Sequence, residues 1–164
     1  MPHPIDPAPP ADAPALDAAL DLLRVSRHAA LAYTDAVTQT AGISRIAWGL
    51  GHDGTPLTLI SALAPHFAAL RAQPDCAVML GEAGPKGDPL THPRLMIRAR
   101  ADFVAPNHHT RAALRDKWLA DHPKAKLYVD FADFAFVRLI PVSALFNGGF
   151  GRAYTLSGAD LLGI

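Results

Sequence analysis

Three arginines share one side of a short stretch. Read as a strand, residues 94–104 place Arg94, Arg98 and Arg100 with Met96 and Asp102 on one face, and Leu95, Ile97, Ala99, Ala101 and Phe103 on the other. Guanidinium forks match phosphate and carboxylate oxygens. Such a row serves an anionic ligand, a solvated face, or ion pairs between two copies of the chain. Arg94 adjoins the glycine- and proline-rich segment 81–93 and is the best placed of the three for a ligand. Arg45 follows Ser44 within the apolar run Ile43-Ser44-Arg45-Ile46-Ala47-Trp48. On a strand the two side chains point to opposite faces, and Arg45 then needs a carboxylate or a bound anion. Ser61 and His66 flank a strand-to-helix junction opened by Pro65, where free N–H groups and the helix dipole attract anions; an ordinary capped helix end is the alternative.

Other chemistries lack their signatures. Lys86, Asp88 and His92 sit in segment 81–93, yet Gly84-Pro-Lys-Gly-Asp88 has neither the glycine spacing nor the Lys-Ser/Thr pair of a phosphate-cradling loop. Gly148, Gly149 and Gly151 fall within four positions after a long apolar run. They suit positive φ or a close backbone approach, but the third glycine of a dinucleotide fingerprint is missing. The eight histidines show no metal-ligand spacing, and no serine lies in a Gly-x-Ser-x-Gly elbow. The one cysteine, Cys76, has no basic neighbour and reads as a buried structural thiol. No catalytic acid or base is identified.

These residues need a scaffold, and the chain supplies one. With 164 residues, half of them hydrophobic, it suggests one domain with a sizeable core. Fifteen basic residues balance fifteen acidic ones, leaving no excess to hold a nucleic-acid backbone. Six prolines in the first fourteen residues predict a disordered tail over 1–14, with the folded domain over 15–164. No stretch is long and apolar enough for a bilayer and no signal-peptide pattern opens the chain, so a soluble cytoplasmic protein is expected.

Asp12 is placed to cap a helix that carries Leu16, Ala19, Leu20 and Leu23 at helical spacing. Strands are expected at 28–34, 43–50, 57–60, 76–80 and 94–104, with 43–60 as a hairpin. A short helix runs from Pro65 to Ala72, and a longer one, capped by Asn107, ends at Ala120. Residues 134–140 read as a strand apolar on both faces but for Arg138, which needs a cover on each side; a second subunit is one candidate. The pattern is mostly β with short helices, an α+β chain forming a closed or partly closed antiparallel barrel.

Five segments carry a resemblance: Asp53-Gly-Thr-Pro-Leu-Thr-Leu-Ile-Ser61, Leu63-Ala-Pro-His66, the segment from Gly81-Glu82 to Pro93-Arg94-Leu95, Tyr128-Val-Asp-Phe-Ala-Asp-Phe134, and Asn147-Gly-Gly-Phe-Gly-Arg-Ala-Tyr154. From about residue 16 to 162 the chain resembles the FMN-binding split-barrel superfamily that includes pyridoxamine 5′-phosphate oxidase, and most of all its bacterial haem-utilisation branch. The resemblance implies a six-stranded antiparallel split barrel that forms a homodimer, with FMN at the interface. By position, it assigns cofactor binding to Ser44, Arg45, Ser61, His66 and Arg94. The activity implied is that of a flavin oxidoreductase. The alternatives are a haem-binding or haem-degrading protein on the same scaffold, or a binding module without cofactor.

Overall fold

The computed structural model describes residues 8–163; the first seven residues of the expected tail lie outside them. Helix α1 (Ala13–Val25) starts where the sequence places it. Asp12 Oδ1 accepts the Ala15 N–H at 2.9 Å, Pro14 occupies the first turn, and Ala15, Ala19 and Leu23 are buried. The strands are β1 (His28–Thr34), β2 (Ala41–Ala47), β3 (Gly49–Leu50), β4 (Pro56–Ser61), β5 (Asp75–Leu80), β6 (Arg94–Phe103), β7 (Phe134–Asn147) and β8 (Ala153–Ser157). Helices α2 (Pro65–Ala72), α3 (Arg111–Asp121) and α4 (Gly158–Leu162) complete the chain.

The strands form one antiparallel sheet in the order β2-β1-β5-β6-β7-β4-β3, with β8 on β7. The six-stranded expectation is therefore corrected to eight. The 14-residue β7 is long enough to pair with β4 through Phe134–Arg138 and with β8 through Ser143–Asn147. A bulge at Arg98/Ala99 lets it bend, and Pro141 sits there, where a missing N–H is tolerated. The expected 43–60 hairpin is also corrected. Only Gly49–Leu50 returns onto Pro56–Leu57, whereas all of β2 pairs with β1. The two edges of the curled sheet meet through the buried Thr58 hydroxyl, which donates to the Ala47 carbonyl at 2.7 Å.

Two apolar clusters share β7. Val137 and Leu139 face the main core with Leu31, Ile97 and Phe146. Phe136 faces a second cluster with Trp118, Leu114 and Val129, its ring 5.9 Å from the Trp118 ring. The strand is apolar on both faces as read from the sequence, but over Phe136 the cover comes from the chain's own α3 layer. That helix starts at Arg111, after Thr110, rather than at Asn107.

Candidate cofactor site

β6 alternates as its sequence requires: Leu95, Ile97, Ala99 and Ala101 are buried, while Arg98, Arg100 and Asp102 are exposed. Strand register extends its outer face into a row. Arg45 lies opposite Ala30, Ala30 opposite Met79, Met79 opposite Met96, and Met96 opposite Leu145. Between its ends this row is apolar, yet Met79 is 47% exposed, and nearby Ile43 is 76% exposed.

A cavity of about 600 Å³ opens at the Arg45 end of the row, between the last turn of α1 and the end of β5. Leu22 and Val25 of α1, with Ile43 and Met79 of the sheet, give it apolar walls. Arg27, His28, Arg45 and Glu82 supply its polar side chains, and Ser44 borders it on β2. His28 Nε2 lies 3.1 Å from Glu82 Oε1, linking β1 to the segment after β5. Arg27 donates to the Arg24 and Ser26 carbonyls at 2.8 and 3.0 Å. The exposed Arg45 guanidinium has no hydrogen bond or ion pair among the described residues.

A smaller cavity of about 180 Å³ shares Met79, Gly81 and Glu82 with the first and reaches Arg94. Segment 81–93 is held by its own side chains. The Gly84 N–H donates to His92 Nδ1 at 3.0 Å, so the ring proton sits on Nε2, 2.9 Å from the Lys86 carbonyl it donates to. Asp88 accepts the Leu90 N–H at 2.9 Å, and Arg94 Nη1 donates to the Leu90 carbonyl at 2.8 Å. The titratable groups His92 and Asp88 thus brace the loop.

Ser44, Arg45 and Arg94 therefore gather around Met79, Gly81 and Glu82. The Ser44 hydroxyl points to the other face of β2 from Arg45 and donates to the Tyr33 hydroxyl at 3.3 Å. His66 lines neither cavity; its ring lies beside Tyr33, centroids 6.0 Å apart. Its imidazole is buried, Nδ1 has no partner, and desolvation pushes its pKa below the usual 6.5. Ser61 lies elsewhere, donating to Asp133 Oδ2 at 2.8 Å and accepting the Leu63 N–H at 3.1 Å. Burial pushes the Cys76 thiol up to about 11. No cluster of three or more His, Cys, Asp or Glu side chains suited to a metal ion occurs among the described residues. None of the described helices is long and apolar enough to cross a membrane.

No protein-family profile matches the chain. A haem oxygenase of Arabidopsis thaliana chloroplasts, HOZ, is 36% identical over 106 residues, 65% of this chain. The chain spans 31% of that relative's length. The haem-binding protein of Mycobacterium smegmatis superimposes with a TM-score of 0.82 at 24% identity, over 93% of this chain and 62% of that one. A Listeria innocua protein described as a pyridoxamine 5′-phosphate oxidase superimposes with a TM-score of 0.62 at 17% identity, over 82% and 98% of the two chains. The chain has the split-barrel fold shared by pyridoxamine 5′-phosphate oxidase-like and haem-binding proteins.

Within this split barrel, sequence reasoning missed Arg27, His28, Met79 and Glu82 as cavity residues. They meet because β1 sits between β2 and β5, a long-range pairing that no local pattern announces. Glu82 alone carried a signal, as the residue after the motif glycine Gly81.

Proposed function

We propose that this split-barrel protein binds haem in the cavity beside Arg45 and handles it as a homodimer. The observation that carries this reading is the arrangement of that cavity: apolar walls, with the unpartnered Arg45 guanidinium at the rim. Haem needs apolar surface against its ring faces and cations for its propionates. Val25, Ile43 and Met79 supply the surface, and Arg45 with Arg27 supplies the charge. Bound haem would bring the redox chemistry of its iron, while the chain orients the ring and keeps water from it. The partly exposed apolar row through Met79, Met96 and Leu145 fits a second copy of the chain laid over the sheet, which would also close the cavity.

A second reading, FMN in the same place, is favoured by the smaller cavity that continues to Arg94. A flavin phosphate held by Arg45 or Arg94 would leave its ring along Met79, and an oxidoreductase would follow. The test is direct titration of the purified protein with haem, followed by the Soret band, and with FMN, followed by fluorescence quenching. Saturable binding of haem with the stronger affinity supports the first reading. Tighter FMN binding transfers the site to the second, and binding of neither contradicts both.

A further inference from the structure

The glycine-rich turn after β7, conspicuous in the sequence, takes no part in the cavity beside Arg45; it builds another. We propose that this second cavity binds a small aromatic monocarboxylic acid, its ring against Tyr154 and its carboxylate on Arg152. The cavity measures about 380 Å³ and shares no lining residue with the larger one.

One wall is aromatic. Phe146 and Tyr154 face each other in register across β7 and β8, with ring planes 22° apart and centroids 6.5 Å apart. Phe146 is 2% exposed, so Tyr154 presents the accessible ring and Phe146 backs it. Other apolar surface comes from Pro14, Ala15 and Ala18 at the start of α1 and from Pro93. A flat ring gains most from such surfaces, because it covers them at little conformational cost.

The cation is held at its base and free at its tip. The Arg152 N–H donates to the Gly149 carbonyl at 3.1 Å, and the Arg152 carbonyl accepts the Gly148 N–H at 2.8 Å. Positive φ at Gly149 (130°) and Gly151 (71°) lets the chain make this tight turn. The guanidinium itself has no hydrogen bond or ion pair among the described residues. Gly148 keeps the corner open: a Cβ there would lie 3.1 Å from the Phe146 ring and 3.8 Å from Arg152 Cβ.

Asp12 sets the charge of the ligand. It is the other charged residue of the lining, and one of its oxygens is engaged by the Ala15 N–H. Its charge opposes a second negative group, and its remaining oxygen accepts from a donor. An amino- or hydroxy-substituted benzoate satisfies both walls, whereas a dicarboxylate does not.

The experiment is calorimetric titration of the full chain with 4-aminobenzoate, its neutral amide 4-aminobenzamide, and benzene-1,4-dicarboxylate, repeated in Arg152→Ala, Gly148→Val and the distant Arg115→Ala. The expected result is saturable binding of 4-aminobenzoate, weakened at least about tenfold for the amide, for the dicarboxylate and in Arg152→Ala. Gly148→Val should also lose binding, and Arg115→Ala should match the parent. If Gly148→Val does not fold, Arg152→Ala, a change at an exposed side chain, decides alone. Absence of saturable binding in the millimolar range, or equal binding by a folded Arg152→Ala, overturns the proposal.

Discussion

Gly81→Ala should destabilise the protein far more than another glycine replacement at positive φ. Gly81 follows the last residue of β5 with φ at 102°. A methyl group there would press against the Pro93 carbonyl oxygen and sit 2.9 Å from Arg94 Cα. Neither neighbour gives way easily, because β5 and β6 are paired up to Leu80 and Leu95 beside them. Two costs add. The disfavoured backbone region costs about 1–3 kcal/mol, and the forced contact with backbone about 1–3 kcal/mol more. The expected loss is roughly 2–6 kcal/mol by these two terms. Gly54→Ala isolates the first: φ is 78° and a Cβ meets nothing within 4 Å. That control should lose only the first cost, about 1–3 kcal/mol. Urea unfolding midpoints, compared at unchanged slope, measure both losses. Equal losses for the two variants would refute the close approach of Gly81 to β6, and with it the placement of Arg94 beside the cavity.

Three further outcomes are expected. Phe136→Ala removes a fully buried ring from beneath Trp118 and should cost about 3–5 kcal/mol in the same assay; a loss below about 1 kcal/mol would contradict the second apolar cluster. Desolvation holds both His66 and His122 below the usual 6.5, so below that pH the unfolded chain takes up protons that the folded chain does not. Their contribution to stability is complete above about pH 6.5 and declines as pH falls toward their lower folded values. Urea midpoints should therefore drop on acidification, less steeply in His66→Leu, and an identical slope in that variant would count against the shift at His66. Met79→Asp puts a charge in the middle of the exposed apolar row and should yield monomers by analytical ultracentrifugation at concentrations where the parent is dimeric. A monomeric parent would remove the second copy from the account.

What the sequence disclosed was local. The β6 alternation, the Asp12 cap and the Pro65 helix start follow from side-chain periodicity and from which residues satisfy helix-end N–H groups, and all three stand in the structure. Pairing between distant segments was not legible. β2 looked like the first half of a hairpin with β4, because nothing in residues 43–60 shows that β1 competes for the same edge. Ser61 looked available at a helix start, but its partner Asp133 lies 72 residues away. The double apolarity of residues 134–140 correctly called for two covers, yet a strand cannot say whether its second cover is another subunit or, as over Phe136, helix α3 of the same chain. For the site, residue type pointed to Arg45 and Arg94. Strand order then brought them to adjoining cavities and added Arg27, His28 and Glu82.

The central claim is that Arg45 holds the anionic end of haem in the larger cavity. Parallel haem titrations of the parent, Arg45→Ala and Arg115→Ala, each checked for an unchanged fold and oligomeric state, test it most directly. Loss of a charge-assisted contact of about 1.5–3 kcal/mol predicts a Kd raised roughly 10- to 150-fold in Arg45→Ala, with Arg115→Ala at the parent value. Haem binding that is saturable in the parent and unchanged in Arg45→Ala would contradict the account.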